Sequence, residues 1–322
     1  MQNISSALIQ YRTSPISRAA ATFTLALATI ALITAIWTRL AFVDLPNMMP
    51  LVAAVFVLDV LSQFTAQTRN VRAIQTILHG VLYLAITCFC GVLAAYATQR
   101  FAFPLQDRQL EAADLALGVN WFDIVHWVDN RPAVHAVLKA AYYTMSAQIA
   151  LPVVILAFAD RTNEVRRYLL SFVIALTITI IVAAFWPAAS PMALVDQATF
   201  HVLRFTGATP VDHLMQLRSA EPMTIGGGLG GIISFPSFHA TVAILTPLTL
   251  RGYRGLFPAL LILDAAVLCS TITEGAHYAV DIPAGVGVAF AACFLAKLVL
   301  GTNDYSSAGN EISRRYVSAG TS

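Results

Sequence analysis

Apolar runs long enough to cross a bilayer recur along the chain, separated by short polar turns. A hydrocarbon core ~30 Å thick needs ~20 helical residues. By that measure the pattern predicts eight helices, at roughly 19–38, 48–66, 74–98, 136–159, 167–186, 238–251, 256–273 and 278–300. The run at 238–251 is short for a span and has to borrow residues from its flanks. Residues 100–135 mix charge with tryptophan (Asp107, Arg108, Glu111, Asp114, Trp121, Trp127, Arg131), which suits a stretch lying at headgroup depth. Residues 187–236 form the longest connection. They open with Trp186-Pro187-Ala188-Ala189-Ser190-Pro191, which stops the fifth span, and a loop of this length is expected to be functional or to cover a site. Its stretch 226–231 formally matches G-x-G-x-x-G, but no βαβ pattern surrounds it, so it reads as a flexible approach to the next turn. Beyond Gly301 the chain turns polar, and a disordered tail is expected.

Composition supports an all-α, polytopic integral membrane helix bundle: 58% hydrophobic, 11% charged, mean hydropathy +0.72. A net charge of +2 without a basic stripe argues against a nucleic-acid partner. The distribution of charge is more informative. With eight crossings, one side collects Arg12, Arg18, Arg69, Arg72, Arg161, Arg166, Arg167, Arg251, Arg254, Lys297, Arg314 and Arg315. The other side holds only Arg39, Arg100, Arg108, Arg131, Lys139, Arg204 and Arg218. The positive-inside rule makes the first side cytoplasmic, with both termini there, in a plasma (inner) membrane. The first run is longer than a cleaved signal's apolar core and reads as a retained span. Cys88, Cys90, Cys269 and Cys293 all lie in apolar runs and read as buried thiols. Cys88-x-Cys90 has neither the spacing nor the partners of a zinc site.

Two short motifs fall where a polar loop gives way to an apolar run, both on the extracytoplasmic side: Phe235-Pro236-Ser237-Phe238-His239 and Gly275-Ala276-His277-Tyr278-Ala279-Val280-Asp281. Pro236 suits the first turn of a helix and Ser237 its cap. The free N–H groups of that helix end would cradle phosphate. His239, one turn in, can donate a proton to a departing oxygen. Asp281 lies four residues beyond His277, so on a helix the two would share a face. There the carboxylate would accept from one ring nitrogen and leave the other as a nucleophile. Either histidine alone could be a solvated residue at a helix start. Together they point to covalent phosphoryl transfer. The motifs contain no carboxylate cluster for a metal, and no cofactor is implied.

These residues carry a resemblance. Pro236-Ser237-Phe238-His239, then Ser270-Thr271 followed by His277 and Asp281, resemble the second and third signatures, PSGH and SRxxxxxHxxxD, of the type 2 phosphatidic acid phosphatase superfamily. Gly275, Tyr278 and Gly285 extend the match. Phe238 in place of glycine and Thr271 in place of arginine are more similar to the inositol phosphorylceramide synthase branch than to the lipid phosphate phosphatases. The resemblance implies a six-span catalytic core over 71–300, preceded by two added spans in 1–70 and followed by a cytoplasmic tail, 301–322. It implies that His277 attacks phosphorus, Asp281 orients it, His239 protonates the leaving group and Ser237 helps to hold phosphate. The first signature, KxxxxxxRP, would fall on Ala183, Ser190 and Pro191, so both of its cations are missing. Arg218 is the first candidate to replace them, with Lys139, Arg131 and Arg204 behind it, because arginine suits bidentate phosphate recognition.

The expected activity is phosphoryl transfer from a membrane lipid to an alcohol or lipid acceptor, with hydrolysis of a lipid phosphate as the alternative. Asp59 and Asp264 lie within apolar runs and should face the bundle interior. A transporter would also carry such residues, but no inverted repeat is visible and both histidine motifs lie at a face. A lipid-binding protein without turnover is the third reading, motivated by the missing cations. Glu274 reads as either a neighbour of the site or a rim charge. His79 reads as a bundle-interior residue, and His126, His135, His201 and His213 have no partner at an informative spacing.

Overall fold

The computed structural model describes residues 15–37, 39–42, 68–194, 200, 210–219, 223–225 and 231–300. In chain order the helices are α1 (Pro15–Trp37), α2 (Arg69–Gln99), α3 (Asp107–Ala116), α4 (Trp121–Asp129), α5 (Pro132–Tyr143), α6 (Met145–Phe158), α7 (Thr162–Phe185), α8 (Pro210–Arg218), α9 (Phe238–Thr249), α10 (Leu256–Thr273) and α11 (Asp281–Leu300). A 3₁₀ turn covers Pro191–Leu194. The one departure from helix among the described residues is a parallel pairing of two three-residue strands, β1 (Leu40–Phe42) and β2 (Met223–Ile225).

Among the described residues four helices, α2, α7, α10 and α11, are long and apolar enough to cross a membrane. The pair α5 and α6 makes a fifth if taken as one span bent by 42°. The bend falls at Thr144, whose hydroxyl donates back to the Ala141 carbonyl at 2.6 Å. About two turns into α6, Pro152 cannot donate to the Gln148 carbonyl. Thr246 on α9 donates to that oxygen instead, at 3.3 Å, so the kink and the packing of α9 share one polar contact. The eight expected spans are therefore matched in part. The apolar parts of α1 and α9 fall short of a span by length, and 48–66, with Asp59, lies outside the described residues.

At the centre is α7, with 72% of its apolar window buried against 28–33% for α2, α10 and α11. It touches α2, α6, α9 and α11. Leu170, Phe172 and Val173 of α7 are enclosed by Leu84 and Ala94 of α2, Val153 and Leu156 of α6, Val242 and Ala243 of α9, and Ala289 and Ala292 of α11. Outward faces are the reverse: Ile262 on α10 and Phe294 and Leu298 on α11 are exposed. A bundle that packs an apolar core and also turns large apolar side chains outward is built for lipid. Asp264 faces the interior as expected, with 3% of its surface exposed. The cysteines are free, and Cys269 is exposed on α10, so not every thiol is buried.

Candidate active site

One end of the bundle gathers the ends of α7 and α10 and the starts of α9 and α11. Ser237 caps α9: its Oγ accepts from Ala240 N–H at 3.3 Å, and its own N–H donates to the Asp281 carbonyl at 3.1 Å. Pro236 therefore precedes the cap and does not occupy the first turn. A second tie comes from Thr241 Oγ1, at 2.9 Å from Gly285 O and 3.1 Å from Ser237 O. Gly285 permits this seam: a β-carbon there would clash with the Ser237 carbonyl oxygen.

His277 and Asp281 meet, but not on a helix face. α11 begins at Asp281, and His277 lies in the turn before it. The turn is closed by His277 N–H donating to Thr271 O (3.1 Å) and Tyr278 N–H to Asp281 Oδ2 (2.9 Å). The same carboxylate oxygen accepts from His277 Nδ1 at 3.1 Å and from Ser234 Oγ at 2.9 Å. Since a carboxylate only accepts, the proton sits on Nδ1, and Nε2 keeps its lone pair. Nε2 stands 3.3 Å from Ser237 Oγ. His277 is 3% exposed and Asp281 0%. The His239 ring lies 5.9 Å from the His277 ring and stacks on Tyr142 of α5 at 4.6 Å.

The turn itself is held by α3, which the pattern placed at headgroup depth. Asp114 accepts from Ala279 N–H (2.7 Å) and Val280 N–H (2.9 Å). Asp107 accepts from Ala189 and Ser190 N–H, each at 3.0 Å, and from the Tyr278 hydroxyl at 3.0 Å. Burial raises the Asp114 carboxyl above its ordinary range, opposed by the two backbone donors. The Tyr278 phenol is pushed far up by burial, reinforced by Asp107. Trp121 of α4 is buried, and its Nε1 donates to Ile272 O at 2.8 Å, whereas Trp127 is exposed. Leu110, Ala188 and Tyr278 form a small apolar cluster with Phe235 and Val280 beside it. Thus α3 and α4 close over the site.

The positions matched to the missing cations do structural work. Ser190, at φ 100°, sends Oγ to Ala276 O at 2.8 Å, and Ala276 itself sits at φ 48°. These left-handed conformations cost energy in non-glycine residues, and the bonds to Asp107 and Ala276 hold the first of them. Ala183 is buried, and its carbonyl accepts from Gln99 Nε2 at 3.1 Å. Thr271 is buried and bonded back to Leu268 O at 2.7 Å, so it offers nothing to phosphate. Phe238 packs edge-on against Phe172 of α7 at 5.5 Å; it belongs to the helix core.

A family model described as the PAP2 superfamily matches residues 108–295, more than half of the chain. The chain belongs to the PAP2 superfamily. Membership supports phosphatase or phosphotransferase chemistry in a membrane protein. No curated protein and no solved structure matches.

Against this PAP2 frame, His277, Asp281, His239 and Ser237 come together, while the candidate phosphate cations scatter. Arg131 lies over the Trp127 ring at 4.2 Å and donates to Trp127 O at 2.9 Å. Lys139 is exposed on α5. Arg218 Nη2 donates to Phe103 O at 2.7 Å and reaches Ala102 O at 3.4 Å; burial lowers its pKa, opposed by Asp107. Arg204 and His201 lie outside the described residues. His135 does have a partner: its Nε2 stands 2.9 Å from Glu274 Oε1. Burial raises the Glu274 carboxyl against the pull of His135 and Lys139. His213 meets Tyr96 at 3.4 Å, and His126 meets Asn130 at 3.3 Å. Among the described residues no group of three or more His, Cys, Asp or Glu side chains could hold a metal ion.

Sequence reasoning missed Tyr142, Ser234 and the anchoring role of Asp107 and Asp114. For the two aspartates a signal existed: seven residues apart on one short helix, they share a face.

Proposed function

We propose that this PAP2 protein is an integral membrane lipid phosphotransferase that works through a phosphohistidine on His277, with inositol phosphorylceramide synthase-like specificity. The observation that carries the reading is the relay Asp281–His277–Ser237. Asp281 fixes the Nδ1–H tautomer, and Nε2 is left with its lone pair beside the cap of α9. In the reaction Nε2 attacks phosphorus and the bond to the departing alcohol breaks. Burial, reinforced by His277, disfavours a proton on His239 in the empty site, so His239 takes one up as the anionic phosphate enters and gives it to that oxygen. The acceptor alcohol then loses its proton to His239 and takes the phosphoryl group from Nε2. The amides at the start of α9 and the Ser237 hydroxyl stabilise the developing charge.

Transfer to an alcohol is preferred over hydrolysis on two grounds. Thr271 places no charge where a dianionic monoester would need one, which suits a monoanionic diester. The site is also covered by α3 and α4, which limits access of water. Phe238, pointing into the core, contributes nothing to this preference.

The test offers the purified enzyme a labelled phospholipid with and without candidate alcohols. Ping-pong kinetics and a phosphodiester whose yield rises with the alcohol are expected. His277→Ala should abolish turnover, and Asp281→Asn should reduce it by about 10⁴-fold, the scale seen when a histidine loses its orienting carboxylate. Release of phosphate or phosphoalcohol alone, whatever acceptor is present, turns the assignment to hydrolase. Turnover by His277→Ala refutes the mechanism.

A further inference from the structure

Positions 183 and 190 on and after α7 carry no charge, and a phosphoryl-transfer site without cations has nothing to offset the phosphate. The structure puts two arginines around this gap from other elements. Arg100 is the C-cap residue of α2. Its neighbour Gln99 reaches Ala183, donating from Nε2 to the carbonyl oxygen at 3.1 Å. All three guanidinium nitrogens of Arg100 are enclosed, and among the described residues none has a hydrogen-bond acceptor. The second arginine, Arg218, ends α8. Its Nη2 rests on the carbonyls of Ala102 and Phe103, two and three residues beyond Arg100, while Nη1 is enclosed without an acceptor. α8 is held against α2 at the same corner by Tyr96 and His213.

Among the described residues, neighbouring groups leave the Arg100 guanidinium without an acceptor and Arg218 only partly satisfied. Asp107, the carboxylate that acts on Arg218, already takes the N–H groups of Ala189 and Ser190 and the Tyr278 hydroxyl. The carbonyl end of the α2 dipole offsets the Arg100 charge only in part. A buried guanidinium with no acceptor is costly, and its planar fork of donors matches phosphate oxygens. Snorkelling to bulk headgroups does not fit either, because the Arg100 nitrogens are shut off from the surface.

We propose that Arg100 and Arg218 form the anion site that grips a phosphate or phosphodiester group of the substrate, supplying from α2 and α8 the charge that Ala183 and Ser190 lack. The identity of that anion as substrate rests on the phosphotransferase reading. Asp107 links this corner to the nucleophile's turn through Tyr278.

The test uses the full chain in nanodiscs of neutral lipid. Binding of inorganic phosphate is measured by calorimetry and turnover of a labelled phospholipid by product analysis. Arg100→Gln and Arg218→Gln should each weaken phosphate at least ten-fold and raise KM while lowering kcat, at a melting temperature close to wild type. Gly287→Ala, where an added β-carbon meets nothing within 4 Å, should bind phosphate as wild type does. If Arg100→Gln does not fold, Arg100→Lys keeps the charge but loses the fork and should still weaken phosphate several-fold. Added guanidinium should partly restore turnover to Arg100→Ala. Wild-type phosphate affinity in a folded Arg100→Gln, Arg218→Gln double variant overturns the anion site and leaves the phosphohistidine standing. Turnover retained in His277→Ala, with phosphate binding lost in the arginine variants, removes the phosphohistidine and leaves the anion site. Replacing part of the neutral lipid with anionic lipid separates the sources. If that change, and not phosphate, distinguishes wild type from the double variant, the arginines bind bulk headgroups and the proposal falls.

Discussion

The seam between α9 and α11 can be tested with a single methyl group. In Gly285→Ala the new β-carbon would clash with the Ser237 carbonyl oxygen and lie 3.0 Å from the Ala240 β-carbon. The first obstacle is backbone and cannot rotate away, so α9 must retreat by on the order of an ångström to regain ordinary contact. That movement acts directly on the site. Ser237 is 3.3 Å from His277 Nε2 and donates to the Asp281 carbonyl, and Thr241 crosses the same seam to Gly285 O. Overpacking of this kind costs about 1–3 kcal/mol, and an ångström of misplacement in a reacting constellation costs about 100-fold in rate. Gly285→Ala should therefore fold, melt lower and lose about two orders of magnitude in kcat. Gly287, two residues on, has nothing within 4 Å of an added β-carbon. Gly287→Ala should keep wild-type turnover and gain up to ~1 kcal/mol from helix propensity. Thermal unfolding and turnover of labelled phospholipid in nanodiscs read both effects. Wild-type behaviour of Gly285→Ala, or equal damage from the two variants, would refute the argument.

The remaining expectations are briefer. Asp114→Asn keeps one acceptor where the carboxylate serves two N–H groups, and should cost about 1–3 kcal/mol. Because burial raises the Asp114 pKa in the fold, its protonation stabilises below the ordinary carboxylate range, and that contribution is lost as pH rises through the raised value. Asp114→Asn should flatten this part of the stability–pH curve; an unchanged slope would assign it to another group. Single cysteines at Glu111 and Arg254, both exposed, should label from opposite sides of the membrane in a cysteine-free background, and labelling from one side refutes the topology. EDTA should leave turnover unchanged, and inhibition reversed by a divalent cation would require a metal step.

What the chain made legible was local. The spacing of His277 and Asp281 marked a histidine–carboxylate pair, although the contact comes from a closed turn before α11 and not from a helix face. Ser237 read as a cap because serine before an apolar run has little else to do. The spans showed through hydropathy, but α9 is short and the Thr144 bend divides another, because polar contacts across the bundle reshape helices that periodicity treats as straight. Hidden were the residues whose partners lie far along the chain. Nothing near Tyr142 announces His239, and nothing near Arg100 announces an empty fork of donors. The aspartates of α3 looked like headgroup-depth charges until the 279–280 and 189–190 amides arrived above them.

Those distant partners order events during synthesis. Asp107 and Asp114 emerge more than 150 residues ahead of the Tyr278–Val280 segment they hold, and Ser190 precedes Ala276 by 86. A nascent chain that has inserted α2 through α10 leaves Asp114 without its two amides and Asp107 with only those of Ala189 and Ser190, and His277 lacks the carboxylate that fixes its ring. Both needs are met together when Asp281 and α11 enter the bilayer. Under the proposed mechanism the protein is therefore chemically silent until α11 is in place, and a ribosome stalled before that point leaves an inert product.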